Sequence, residues 1–490
     1  MRQVNGVRSL APIKARGIEQ VGRFVSTGGV HDDRVVDFLN TIFEEAVLTG
    51  TSDIHIELDD LEGMAVRIRK SGHLELLEHW LEPEASKVAK TKILAKAKLD
   101  DQERLVPQDG RMMVYFGDRR VDVRVAITPT VSGFKFVFRL LDSNNANHDI
   151  DDLEMPFMVR DTMKRVSSQP EGMVLLSGPT GSGKTTSLYA LLQYLKDVTR
   201  HIMTIENPVE YAVKTFTQID VDGNMTFPKA MKAALRLDPD VIMVGEMRDE
   251  ESAHIAYKAG TSGHMVLSTV HANSAAESIT RLQAFGLQGF EVASVLSSVI
   301  AQRLVRKIAP DAEIAWREPN DVERDWLHRR KMYETGMKLP QIVSGGFKGR
   351  LPLVEMIEIT PEIRKIMEAG GDESSSWVPQ IVDLAVKQEQ FETLAQAGLR
   401  TVLEGKTTLQ EVMDSTSDVA YVPSKRRWEQ ILIHQGRLLV TNLERLREEI
   451  YQHRMLGRII SLKEHVINTN TCTAEVVAAA TVHPDCVELA

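Results

Sequence analysis

A chain of 490 residues is too long for one compact hydrophobic core, so several domains are expected. Its 43% hydrophobic and 26% charged residues are ordinary for a globular protein, no apolar run is long enough to span a bilayer, and residues 1–6 lack the apolar core of a signal peptide. The net charge of -10 disfavours a dedicated nucleic-acid binder, and the only two cysteines, Cys472 and Cys486, stand in no metal-ligand spacing and fit a reducing, cytoplasmic compartment.

In chain order, residues 1–34 scatter Arg2, Arg8, Lys14, Arg16 and Arg23 among small residues without periodicity, which reads as a flexible basic tail. Residues 35–143 read as an α+β domain. Val36, Phe38, Leu39, Ile42 and Phe43 lie at helical spacing, and Ile54 and Ile56 alternate with Asp53, His55 and Glu57 as in a strand. Met64 to Arg69, Met112 to Phe116, Arg120 to Ile127 and Lys135 to Leu141 are further strands. Lys87 to Leu99 reads as a basic helix with a solvated lysine face. Residues 144–155 are expected to be a linker, 156–414 the main α/β domain and 415–490 a helical extension, in which Leu439, Leu443, Leu446 and Ile450 recur at helical spacing.

The main domain opens with a helix, Pro156 to Val166, and then an apolar strand, Met173 to Leu176. Three more short apolar strands follow at Ile202 to Ile205, Val241 to Val244 and Met265 to Thr269, separated by helical runs. Strands buried on both faces and alternating with helices specify a doubly wound, mostly parallel sheet. Ligands bind beyond the C-terminal strand ends of such sheets.

The first strand breaks into Gly178-Pro179-Thr180-Gly181-Ser182-Gly183-Lys184-Thr185-Thr186, a phosphate loop leading into a helix. Its glycines let backbone N–H groups approach an anion at a helix N-terminus. Lys184 is placed to reach the β- and γ-phosphates of ATP, and the Thr185 hydroxyl to bind Mg²⁺. At the next strand ends stand Glu206 and Glu210, then Glu246 within Gly245 to Asp249, while His264 precedes the last strand and His271 follows it. Carboxylates beside Mg²⁺-ATP can hold the metal through water or orient an attacking water. Each could alternatively cap a helix.

Leu235 to Asp249 and Gly263 to Ser274 resemble the Walker B region and histidine box of the secretion ATPase superfamily, which drives type II secretion and type IV pilus assembly. Ile205 to Glu210 resembles its Asp box, and Ala301 to Arg306 the arm that follows. Ser52 to Glu57, Pro107 to Arg111 and Val121 to Arg124 resemble its N-terminal domain, and Gly349 to Glu358 and Gly398 to Gly405 its C-terminal subdomains. The resemblance implies a RecA-like ATPase core preceded by a PAS-like α+β domain and followed by helical subdomains. It makes Glu246 the Walker B acid that helps hold Mg²⁺, Glu210 the general base with Glu206 in support, and His271 a γ-phosphate contact. It makes Arg124 and Arg139 the arginines that close over the phosphates. It further implies a homo-hexamer in the cytoplasm, held peripherally at the inner membrane by a platform protein.

Three departures stand out. The family's paired CxxC zinc site is missing between Leu304 and Arg330, so no thiolate zinc site is expected there. Asn207 stands where the Asp box has aspartate, and the family's separate N-terminal docking domain is expected to be missing or reduced to the short basic tail. Alternative readings are a retraction motor of the same superfamily, a nucleic-acid translocating ring, and a nucleotide-gated scaffold with little turnover.

Overall fold

The computed structural model describes residues 24, 30–70, 73–102, 105–116, 119–142, 148–197, 199–221, 225–333, 335–369, 377–388 and 390–416, together with short strand pieces at 433–434, 437–438, 460–461 and 487–488. The expected helix through Leu439, Leu443, Leu446 and Ile450 lies outside the described residues, as do Cys472 and Cys486. The chain divides into two compact units, Met1–Asn145 and Ala146–Ala490.

The first unit is α1 (Val30–Leu48), β1 (Asp53–Asp59), β2 (Gly63–Lys70), β3 (His73–Leu81), α2 (Pro83–Ala97), β4 (Gln108–Phe116), β5 (Arg119–Thr130) and β6 (Gly133–Asp142). Its antiparallel sheet runs β3-β2-β1-β6-β5-β4. Strict alternation sends Ile54, Ile56, Val123, Val125, Phe136 and Phe138 to one face, where they form one core with Leu39, Ile42 and Phe43 of α1 and Ile93 of α2. Burying an aromatic or branched side chain of this kind stabilises the fold by roughly 1.5–3 kcal/mol. The Phe43 and Phe138 rings meet edge to face, 5.2 Å between centroids.

Two expectations change here. Phe24, in the stretch read as a flexible tail, is buried against this core, and its backbone exchanges hydrogen bonds of 3.0 and 3.1 Å with the Asn40 side chain. A lone aromatic in a basic arm gains enough by burial to be tied down. Lys90 and Lys92 of α2 are not solvated either, although Lys87 is exposed. Lys92 makes a 2.6 Å ion pair with Asp32 of α1, both side chains being nearly buried, and Lys90 lies 3.8 Å from the centre of the Phe134 ring. Their aliphatic stems cover apolar surface while the ammonium groups find partners.

The second unit comprises α3 (Phe157–Ser167), β7 (Gly172–Ser177), α4 (Lys184–Leu195), β8 (Ile202–Glu206), β9 (Thr217–Asp220), α5 (Phe227–Ala234), β10 (Val241–Val244), α6 (Glu250–Gly260), β11 (Met265–Val270), α7 (Ala275–Ala284) and α8 (Gly289–Val295). There follow β12 (Leu296–Ile308), β13 (Glu313–Arg317), α9 (Asp321–Arg329), β14 (Leu339–Ser344), β15 (Phe347–Glu358), α10 (Pro361–Glu368), α11 (Trp377–Ala385), α12 (Leu394–Leu403) and α13 (Leu409–Ser415). The sheet order is β15-β12-β7-β11-β10-β8-β9, parallel from β12 to β9, with β15 antiparallel on the edge. Met173 and Leu175 of β7 enter one core, Val174 and Leu176 the other, so the sheet is covered on both faces. This is the doubly wound core expected of a RecA-like ATPase. Ile150 and Met155, from the stretch read as a linker, are buried in the second of these cores.

The hairpin β13–β14 and α9 occupy the place where the family's zinc module was expected to be cysteine-free. Arg317 grips Glu323 through two hydrogen bonds of 2.6 and 2.7 Å. Burial pushes the Glu323 carboxyl up, but Arg317 and the Asn320 N–H outweigh it, so the group lies below the usual range.

Candidate active site

Four parallel strands end side by side at one sheet edge. Ser177 pairs with Val270, Val244 with Ser268 and Val244 with Ile205, so the segments that follow each strand leave at one level. The phosphate loop, Glu206 with Glu210, Glu246 and His271 are thereby gathered. His264 is not. It lies at the opposite end of β11, where its Nδ1 is 3.0 Å from the Ala259 carbonyl and 3.1 Å from the Ser262 hydroxyl, a local turn contact.

The loop has the backbone that its glycines foretold. Gly178, Gly181 and Gly183 have φ of 144°, 80° and 86°, and Gly183 caps α4. A Cβ on Gly178 would lie 2.4 Å from the Gln302 carbonyl oxygen and one on Gly183 2.6 Å from Gln302 Nε2. Gln302 of β12 clamps the loop. Its Nε2 donates to the Ser182 carbonyl (2.8 Å), and its Oε1 accepts from the Ser187 hydroxyl of α4 (2.9 Å). The Ser182 hydroxyl is buried without a hydrogen-bond partner, a polar group inside the turn that a phosphate oxygen could satisfy. Pro179, Thr180 and Gly181 form the exposed rim, and Thr185 and Thr186 stand partly exposed in the first turn of the helix.

Lys184 bends back so that its Nζ donates to the carbonyls of Gly178 (2.6 Å) and Pro179 (3.0 Å). Burial pushes its ammonium down to about 8, opposed by the charges of Glu246 and Glu210 and assisted by Arg303. Lys184, Glu246 and Glu210 are thus within electrostatic reach of one another. Glu246 is held from two sides, by His271 Nε2 (2.9 Å) and Arg248 Nε (2.8 Å). Asp249, the other acid of that cluster, is the helix cap: it accepts from Ser252 N at 2.8 Å and starts α6.

Glu206 is a buried support. Burial raises its carboxyl above the usual range, while Thr204 and Tyr189 each donate to Oε1 at 2.7 Å. Glu210, four residues on, is partly exposed beyond the strand end, and Asn207 is exposed. Tyr189 lies on α4, so the helix that begins at the phosphate loop also fixes the start of the Asp-box turn.

In the first unit Arg139 and Arg124 are direct cross-strand partners, and the row continues to Arg111 on β4 and Asp53 on β1. Arg139 Nε lies 3.1 Å from Asp53 Oδ1. The position of Arg111 in this row was legible in principle from the period-2 alternation of β4 and β5.

Reading motif by motif missed Gln302, Arg303 and Glu355. Arg303 is buried beside Gly178 and Glu355 is fully buried on β15. The signal available was the run Leu296 to Ile308, long enough for a central strand, whose polar residues Gln302 and Arg303 then had to meet something buried.

The family model of the type II/IV secretion system proteins matches residues 30–414. The chain is 36% identical over 400 residues to the type II secretion system ATPase E of Vibrio cholerae, covering 79% of this chain and 76% of that protein. It is 37% identical over 398 residues to the type IV pilus assembly ATPase PilB of Pseudomonas aeruginosa, covering 79% and 68%. A crystal structure of the pilus retraction motor PilT with bound ADP superposes with a TM-score of 0.54 at 25% identity, covering 77% of this chain and 96% of that one. With its phosphate loop, paired acidic strand ends and seven-stranded core, the chain belongs to the type II/IV secretion system protein family and is an ATPase of that family.

Proposed function

We propose that this ATPase works as a homo-hexameric motor that hydrolyses Mg²⁺-ATP to assemble a type IV pilus or a type II secretion pseudopilus, acting from the cytoplasm on an inner-membrane platform protein. The observation that carries the reading is the joint placement of Lys184, Glu210, Glu246 and His271 at one sheet edge, with Lys184 feeling both carboxylates. Among the described residues no helix is long and apolar enough to cross a membrane, which fits attachment through partners.

The residues present fit Mg²⁺. No group of three or more His, Cys, Asp or Glu among the described residues could cage a metal alone. The Thr185 hydroxyl and Glu246 offer hard oxygen donors suited to an ion that keeps several waters and shares the substrate's phosphates. Bound there, Mg²⁺ would neutralise charge on the phosphate oxygens. Lys184 takes the phosphates, exchanging its loop carbonyls for charged oxygens. Glu210, exposed enough to meet a water, accepts the proton of the attacking nucleophile. Glu206, locked by Thr204 and Tyr189, holds that turn in place. His271 reports on the γ-phosphate through its contact with Glu246. Arg124 and Arg139 of the first unit carry guanidinium groups of the kind that bind phosphate charge.

Steady-state hydrolysis tests this. The full chain with Mg²⁺-ATP is expected to turn over at least about tenfold faster than Lys184→Ala or Glu246→Gln. Equal rates would refute the motor. The retraction reading has less support: the assembly ATPase is matched by sequence at 37% identity, whereas the retraction motor is matched through its fold.

A further inference from the structure

Arg303 and Glu355 stand behind the loop that carries His271. Both are buried, at 5% and 2% exposure. They come from adjacent antiparallel strands on the same face, since Ala301 of β12 is paired with Glu355 of β15 and Arg303 lies two residues further on.

The Arg303 guanidinium lies between the His271 loop and the phosphate loop. Its Nη2 donates to the Asn273 carbonyl at 3.0 Å, two residues beyond His271, and its Nη1 donates to the Gln302 carbonyl at 3.1 Å. Nη1 also packs against the phosphate loop, 3.2 Å from where a Cβ on Gly178 would sit. Glu355 accepts from the backbone N–H of Ala275 (2.8 Å) through one oxygen and from that of Leu394 (3.2 Å) through the other. Those N–H groups open α7, directly after the His271 loop, and α12 in the C-terminal helices. One carboxylate therefore ties the ends of two helices, and the neighbouring guanidinium bonds the same loop while packing against the phosphate loop at Gly178. Glu277 of α7 is the other charge facing the pair. Arg303 and Glu355 feel each other's charge, and each spends its hydrogen bonds on the backbone of these loops and helix starts.

We propose that Arg303 and Glu355 form a positioning pair that sets the His271 loop against the phosphate loop and links it to α12, so that hydrolysis at the nucleotide and movement of the C-terminal helices are coupled. The proposal rests on the assignment of hydrolysis to this phosphate loop.

The test uses the full-length protein with Mg²⁺-ATP and a fluorescent ATP analogue. Arg303→Gln, Arg303→Lys, Glu355→Gln and the Arg303→Gln/Glu355→Gln double variant are compared with the parent and with Lys184→Ala. Glutamine at 355 keeps the shape but replaces an accepting oxygen by an amide NH₂ that faces a backbone N–H. The single variants are expected to lower kcat by about tenfold or more while analogue Kd and KM change less than about threefold, as for residues acting through others. Arg303→Lys, which keeps the charge and loses the fork, should recover part of kcat, and the double variant should be no worse than the poorer single one. Parent-level kcat in a folded Arg303→Lys and Glu355→Gln would overturn the proposal, as would additive losses. Should Arg303→Gln fail to fold, Arg303→Lys and Glu355→Gln decide. A parent no faster than Lys184→Ala would instead refute the hydrolysis reading itself.

Discussion

The ammonium of Lys184 sits between opposing influences: burial and Arg303 push it down, Glu246 and Glu210 hold it up, and the result is about 8. Phosphate binding favours the charged form, so nucleotide affinity should fall as pH rises through that value. At pH 9 about a tenth of the lysine is charged, and the Kd for ATP is expected to be about tenfold weaker than at pH 7. Titrating a fluorescent analogue at both values checks this, and a flat profile would contradict it. Glu355 behaves in the opposite sense. Burial raises its carboxyl from 4.5 to about 7, against the two backbone N–H groups and Arg303 that favour the ionised form. The folded protein therefore holds more protons than the unfolded chain between those values, and this group's contribution to stability falls as pH rises across the window. The full difference is on the order of 3 kcal/mol. Denaturant midpoints at pH 5 and pH 7.5 should show that part of the slope in the parent and not in Glu355→Gln.

Among the elements, β7, β8, β10 and β11 were legible because each is a short apolar run buried on both faces and closed by a polar strand end. Hence Lys184, Glu210, Glu246 and His271 could be placed together from sequence. β12 was not legible as a strand beside β7. Its residues Ala301 to Arg306 matched a family motif, and that match masked the plain fact that Val299, Ile300 and Ala301 are all fully buried. With β12 went the clamp by Gln302, whose partners Ser182 and Ser187 lie more than a hundred positions away, and the contact of Arg303 with Asn273, which comes from another element. Lys90 and Lys92 of α2 were misread for the same reason, since Phe134 and Asp32 reach them from other elements. Beside the cysteine-free hairpin the Arg317–Glu323 fork joins β13 to the first turn of α9. Arg317→Ala leaves a nearly buried carboxylate partly unpaired and should destabilise the second unit by about 2 kcal/mol, with little change in ATP affinity. Thermal unfolding together with analogue binding would separate those effects, and an unchanged midpoint would show that the fork holds nothing.

For the whole molecule, two compact units carry different chemistry: an antiparallel sheet with a row of arginines, and a parallel core with the phosphate loop. The family model spans both units, and the second sheet is buried on both faces behind the acids at its strand ends. The proposed hexamer and platform partner have no signature in composition or periodicity. The central claim is that hydrolysis at Glu246 and Lys184 drives filament assembly. Replacing the gene in its own cell by one encoding Glu246→Gln tests it most directly, with surface filaments and pseudopilus-dependent secretion as the readout. Loss of filaments or of secretion, with the variant present at parental levels, is the expected result. Undiminished filaments and secretion, or an excess of filaments, would contradict it.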